Sequence, residues 1–410
     1  MKKLGIIVSV FSLIFLCAGC ANRTSVSAMQ PSRLEVTTAA DGQYYTPAPV
    51  ISRQLMSTIF VEDTNGTDDG TRRLIRSMQG QGLDFYSLIS SGDVVILKIN
   101  CQWAERGGTN TDLIRSVIQA ISEHPQGFSG EVIVADNGQA QFGSERRGGS
   151  LSWENANSSD RRQSVMDVVR HFQARGIRAT GVLWDDFTSV RVQEFMAGDT
   201  RNGFVVEDFI HSTGLEITYP KFVTEYGTHV SFREGIWNTG TRSYESEKLK
   251  VINMPVLKSH GGFQVTGAVK GYMGTPSDRL TSRRAHNSVG TGGMGTQMAY
   301  TRIPVLNIMD MIWIGVERGP SSSYASARQI NKIAASIDPV ALDYWASKNI
   351  LMPEAARLPG GRAPSMNPDG TEPGTFGYWL RLSMNELHKA GFWATMNESE
   401  MRVVERGKIL

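Results

Sequence analysis

Two short stretches concentrate residues able to do chemistry. Asn253-x-Pro255-x-x-Lys258-x-His260 sets a lysine and a histidine two positions apart at the end of an apolar run. Thr266–Gly267–Ala268-x-Lys270–Gly271-x-x-Gly274 then puts another lysine among glycines. Glycines let backbone N–H groups approach a ligand, lysines neutralise an anion, and histidine moves protons near neutral pH. The combination suits a small anion, carboxylate or phosphate, held by Lys258 and Lys270 with His260 as acid or base. The competing reading makes both lysines solvated surface charges, His260 a loop or core histidine, and the glycines plain turns. Spacing alone does not choose between them.

Elements that would position these residues are legible upstream. Asp93 to Asn100 is a β-rich apolar run, consistent with a strand covered on both faces, and it ends in Lys98 and Asn100. A helix follows with the stripe Leu113, Ile114, Val117, Ile118 and Ile121, capped by Thr109, Asn110 or Thr111. Gly130 to Asp136 is the next strand. Strand, helix, strand implies a right-handed parallel crossover, so the expected fold is α/β: a mostly parallel or mixed sheet flanked by helices, with long irregular insertions. Ligands in such sheets bind beyond the carboxyl ends of strands, which adds Lys98, Asn100 and Asp136 to the candidate ligand-binding set beside Lys270.

Further along, helices are expected over 71–80 and 164–174, and a strand over 179–183. Residues 185–245 lack a clear period and predict turns, short strands and long loops. Leu249 to Leu257 reads as one strand, Val265 to Gly274 as the start of a helix, and Gly290 to Gly295 as a mobile loop over a pocket. Pro304 to Ile314 is strongly apolar. Asp338–Pro339 carries the cap and first-turn proline of a helix running through Asn349, and 376–390 looks helical.

Weaker candidates are Asp136 and Asp310 as orienting or cation-binding carboxylates, Cys101 as a nucleophile, and a metal set of His260, Asp136 and Asp310. The seven histidines show no H-x-x-x-H spacing, and no G-x-S-x-G, Walker or H-E-x-x-H motif occurs, so neither metal nor cofactor is expected.

At 410 residues, 40% hydrophobic and 20% charged, the chain has the composition of a globular protein. A net charge of +2 gives no field suggestive of a nucleic-acid partner. Cys17 and Cys20 lie near the N-terminus, leaving Cys101 as the one thiol of the body, which excludes an internal disulfide or a cysteine-ligated cluster there. Lys2 and Lys3 precede the uncharged stretch Leu4–Leu16, then Ala18–Gly19–Cys20. This resembles a bacterial lipobox, although Cys17 stands where an aliphatic residue is usual. The expectation is a signal peptide over 1–19, acylated Cys20 as the bilayer anchor, a flexible tether over 20–50, and one α/β domain over 51–410. A division into lobes 51–245 and 246–410 is the alternative. Placement in the cell envelope follows, on the outer membrane or a periplasmic face.

The body resembles domain of unknown function family 362 over about residues 90–350. The resemblance rests on Lys98-x-Asn100, Thr111–Asp112–Leu113 to Ile121, Asn253-x-Pro255-x-x-Lys258-x-His260, Gly267–Ala268-x-Lys270, the run holding Asp310, and Ser336-x-Asp338–Pro339–Val340–Ala341–Leu342–Asp343. Ile99 and Gly271 depart from the proline and asparagine usual in relatives. Some relatives add a ferredoxin-like cysteine segment that this chain lacks. What the resemblance implies is a shared pocket of Lys98, Asn100, Lys258, His260 and Lys270. The resulting expectation is an envelope enzyme acting on a small anionic substrate, the alternative a lipoprotein that binds a solute or cell-wall anion without turnover.

Overall fold

The structure, a computed structural model, describes residues 51–138, 148–281, 283–317, 319–359 and 363–410. The expected signal peptide, Cys20 and the tether lie outside the described residues. After the turn α1 (Arg53–Met56), strand β1 (Thr58–Asp63) leads into helix α2 (Asp68–Gly80). Strand β2 (Val94–Lys98), helix α3 (Thr111–Ser122), strand β3 (Glu131–Asp136), helix α4 (Val165–Gln173) and strand β4 (Ala179–Leu183) follow. Both units cross over between parallel neighbours: β2 pairs β3 from Val94↔Glu131 to Lys98↔Ala135, and β3 pairs β4. Asn110 caps α3 by accepting the N–H groups of Asp112 and Leu113, and the stripe from Leu113 to Ile121 is fully buried. Each such aliphatic side chain contributes roughly 1.5–3 kcal/mol. Helix α4 starts in a reciprocal capping box between Ser164 and Asp167.

Residues 185–245 hold the expected short strands, but join them with two longer ones into a sheet of their own. They build a six-stranded sheet of β5 (Arg191–Val192), β6 (Gly203–Ile210), β7 (Glu216–Val223), β8 (His229–Ser231), β9 (Gly235–Asn238) and β10 (Ser243–Glu245), in the order β10-β9-β8-β7-β6-β5. Pro220 and Lys221 disguise β7, since neither residue marks a central strand. Tertiary partners rescue it: buried Lys221 donates Nζ to the Asp199 carbonyl and lies 4.1 Å from the centre of the Phe195 ring.

The chain then returns through β11 (Leu249–Asn253), β12 (Val256–His260), β13 (Gln264–Thr266), the short α5 (Ala268–Gly271), α6 (Gly293–Tyr300), β14 (Leu306–Gly315) and β15 (Arg328–Ser336). Helices α7 (Pro339–Ala346), α8 (Met352–Ala356) and α9 (Phe376–Lys389) and strands β16 (Arg402–Glu405) and β17 (Lys408–Ile409) complete it. The main sheet has the order β17-β16-β1-β15-β14-β11-β2-β3-β4, with β12 and β13 branching from β14. Strands β14, β11, β2, β3 and β4 are mutually parallel, whereas β15 joins antiparallel, so the sheet is mixed and the fold is α/β.

Two further expectations are corrected. The apolar run from Leu249 is not one strand: it breaks after Asn253, because Pro255 has no N–H to continue the ladder. The chain sidesteps and resumes as β12 along β14. Gly290 to Gly295 is no loose loop but the entrance to α6. A Cβ on Gly293 would lie 2.0 Å from Ser288 Oγ, and one on Gly295 would lie 2.2 Å from the Ser383 carbonyl oxygen, so these glycines let α6 press against α9.

Candidate functional site

The carboxyl ends of β2, β3 and β12 converge with α5 around a narrow cavity of about 40 Å³. That is room for about three waters or a small anion. Asn100, Asp136, Lys258, His260 and Lys270 line it, together with Gln102, Asn137, Thr266, Gly274 and His286. Residues from the two chemical stretches and from both upstream strand ends therefore meet in one place. A roomier groove, about 670 Å³, is lined by Glu62, Asp63, Arg73, Arg76 and Arg406. There the charges mostly satisfy one another: Arg406 pairs with Asp63, and Arg73 reaches both Glu62 and the Asp63 carbonyl. The smaller cavity is the better chemical site, because Lys258 and Lys270 on its wall are not neutralised in this way.

Three lysines are nearly sealed from solvent there, Lys98 at 1%, Lys258 at 3% and Lys270 at 6% exposure, and they differ in how their donors are used. Lys98 Nζ lies 2.8 Å from Asp136 Oδ1 and donates to the carbonyls of Ile99 at 2.7 Å and Gly271 at 2.6 Å. All three of its N–H groups are thus taken, so Lys98 braces the floor instead of presenting its charge to a ligand. Lys258 Nζ donates to the Gly107 carbonyl. For Lys270 Nζ no acceptor is found among the described residues; it lies 5.5 Å from the centre of the Phe263 ring.

Burial costs a charge heavily. It pulls the amines of Lys258 and Lys270 down to about 7, Lys258 being lowered further by the neighbouring Lys270 charge. Asp278 and Lys98 act on Lys270 in opposite directions. Burial likewise raises the Asp136 carboxyl, opposed by Lys98.

Backbone contacts hold the walls. Asn100 Oδ1 accepts the Val256 N–H at 2.9 Å, tying the end of β2 to the start of β12. Asn253 donates Nδ2 to the Ala268 carbonyl and to Asn307 Oδ1, each at 3.0 Å. Asp343 accepts the N–H groups of Ala268 and Val269, the latter at 2.9 Å, and so anchors the turn that carries Lys270. Gly267 is required by that contact, since a Cβ would lie 2.2 Å from Asp343 Oδ1. At Gly274 a Cβ would lie 1.9 Å from Asp136 Oδ1 and 2.6 Å from Lys98 Nζ.

His260 Nδ1 accepts the N–H groups of Gly262 and Phe263, both at 3.1 Å. Its exchangeable proton in the neutral ring therefore sits on Nε2. The sequence pattern does not single out a second histidine, yet His286 lines the same cavity. Its Nδ1 lies 3.2 Å from Asp278 Oδ2, and its backbone N–H donates to Asp278 Oδ1 at 3.0 Å. Burial lowers His286, against the raising hydrogen bond to Asp278. An imidazole oriented by a buried carboxylate is the arrangement of a proton carrier. Asp278 and His286 stand eight positions apart with no motif between them, so nothing local marks the pair.

The weaker candidates resolve into supporting parts. Asp310 accepts Asn110 N–H at 2.8 Å through Oδ2 and Ile312 N–H at 3.0 Å through Oδ1, and burial pushes its carboxyl up to about 6. It fixes the segment that supplies the Gly107 carbonyl to Lys258. Asp136 gives Oδ1 to Lys98 and Oδ2 to Cys101 N–H at 2.7 Å. A metal set of His260, Asp136 and Asp310 is therefore not assembled, and among the described residues no three His, Cys, Asp or Glu side chains gather as ligands. Cys101 is fully buried and burial pushes its thiol well up, the reverse of an activated nucleophile. Asp338 caps α7 through the Val340 and Ala341 N–H groups, as its spacing implies.

No curated protein and no solved structure matches the chain. Residues 239–348 match the family model described as Domain of unknown function (DUF362). That segment holds Lys258, His260, Lys270, Asp278, His286, Asp310 and Asp343, while Lys98, Asn100 and Asp136 precede it. Over residues 239–348 the chain is similar to that family.

Proposed function

We propose that this is a lipid-anchored protein of the bacterial cell envelope whose Lys258–Lys270 cavity takes up a small anion, a carboxylate or phosphate, and acts on it as an enzyme. The anchoring half rests on the leader and Cys20 alone. The observation that carries the other half is the buried amino group of Lys270, which meets no acceptor among the described residues and shares its cavity with Lys258. An anion would supply what both amines lack, and binding would raise them back toward their ordinary range. Asn100 completes the cradle, Lys98 braces it from below, and His260 and His286 carry protons.

A thermal-shift series tests the reading. The full chain is heated with acetate, phosphate, small sugar acids or divalent metals, beside its Lys258→Ala variant. An anion at 100 times its dissociation constant adds about 2.7 kcal/mol of stability. A shift seen for the parent and lost in the variant supports the site, and no shift from any anion removes it. For the enzymatic part, His260→Gln should abolish turnover of the identified ligand while leaving its binding in place. The second reading, capture without turnover, is favoured by His260 having committed Nδ1 to two backbone N–H groups. Under it His260→Gln changes affinity alone. Anchoring is tested by Cys20→Ser, which should move the protein from the membrane to the soluble fraction.

A further inference from the structure

Lys270 differs from the other two buried lysines around the cavity in its acceptors. A cavity built solely to hold an anion keeps its lysines charged, by exposing them or by giving them acceptors. Lys98 has three acceptors and Lys258 has one, whereas for Lys270 Nζ the described residues provide none. Asp278, the carboxylate that acts on Lys270, is committed to the ring and backbone N–H of His286. One apolar ring, Phe263, stands 5.5 Å from Lys270 Nζ and 6.1 Å from the His286 ring, so amine and imidazole border the same space. We propose, building on the anion site, that Lys270 is an imine-forming lysine, which condenses with the carbonyl carbon of a small 2-oxo acid whose carboxylate faces Lys258 and Asn100. The cavity volume, about 40 Å³, restricts that acid to glyoxylate or pyruvate size.

The chemistry balances without a further reactant. The Nζ lone pair attacks the carbonyl carbon, forming the C–N bond as the C–O π pair moves onto oxygen. His286, held through Nδ1 by Asp278, takes both protons from nitrogen in two successive transfers and returns each to that oxygen, first as the carbinolamine hydroxyl and then as a departing water. The C–O bond then breaks and water leaves as the nitrogen pair closes the C=N bond. Net, amine plus carbonyl gives imine plus water. Burial, with the Lys98 charge nearby, favours the unprotonated amine that this needs, as in other lysines activated by desolvation and a neighbouring cation. With its amine near 7, Lys270 is mostly free base at pH 8, where an ordinary lysine is almost wholly protonated.

The test is borohydride trapping on the full chain with glyoxylate or pyruvate at pH 8, followed by peptide mapping. The reduced adduct is expected on Lys270 in excess over exposed lysines by roughly two- to three-hundredfold, the ratio of their free-base fractions. Lys270→Arg should lose the adduct, whereas Lys408→Arg, at an exposed position of β17, should keep it. If Lys270→Arg does not fold, mapping on the parent alone decides between Lys270 and the surface lysines. Adducts spread evenly over surface lysines, with pyruvate stabilising the chain just as acetate does, would overturn condensation and leave the anion site standing. No adduct and no shift with pyruvate, acetate or phosphate would remove both.

Discussion

Lys98 Nζ and Asp136 Oδ1 lie 2.8 Å apart at the ends of adjacent parallel strands, with 1% and 2% of their side chains exposed. Lys98 also holds the Gly271 carbonyl and Asp136 the Cys101 N–H, so the pair joins β2, β3 and α5 beneath the cavity. Its value lies in position: a buried ion pair adds little net stability, but losing one partner is costly.

Lys98→Met should therefore lower unfolding stability by about 3–5 kcal/mol, because Asp136 is left buried and uncompensated. Adding Asp136→Leu should recover most of that loss. Urea titration of the single and double variants checks it, and a double variant no more stable than the single would show that the pair is not a coupled unit.

Gly274→Ala drives a methyl group into that same pair, and overpacking of this kind costs roughly 1–3 kcal/mol. Gly80→Ala is the control, since a Cβ there meets nothing within 4 Å and lies in α2. It should be neutral or stabilise by up to about 1 kcal/mol. Equal losses for the two would contradict the packing around Lys98 and Asp136.

Lys270 makes stability depend on pH with a definite sign. Its amine lies at about 7 in the fold against 10.5 ordinarily, so between those values the unfolded chain holds a proton that the folded chain does not. Stability contributed at high pH is lost as pH falls from 10.5 toward 7. Lys270→Met should thus be more stable than the parent at pH 6, by on the order of 2–4 kcal/mol, with the difference fading above pH 10.5. Denaturant midpoints across that range measure it; a difference that does not vary with pH would mean that the amine stays charged.

Asp278→Asn removes the carboxylate that raises His286, leaving burial and Lys270 to depress the ring further. The ring should then protonate at lower pH than in the parent, which NMR titration of the His286 ring protons follows. If the ring titrates unchanged, Asp278 does not orient it.

Local pattern carried much of the frame. Apolar runs at β2 and β3, the stripe on α3 and Asp338–Pro339 before α7 are all readable within a few positions, because helix and strand periods and capping are short-range effects. The six-stranded sheet was not readable, since Pro220 and Lys221 sit within β7 only because Phe195 and Asp199 receive the lysine. Glycines of α6 read as loop because the Ser383 backbone that needs their smallness is distant in sequence.

The sequence by itself determined that the body is α/β and that lysines, a histidine and glycines cluster between residues 253 and 274. Only the tertiary structure decided what each of them does. It sealed Lys98 under the floor with Asp136, gave Lys258 a carbonyl, placed Lys270 where no acceptor is found among the described residues, and set His286 on Asp278 beside it. The physical reason is that hydrogen-bond saturation and desolvation depend on which distant groups arrive within about 3 Å, and no spacing along a chain encodes that.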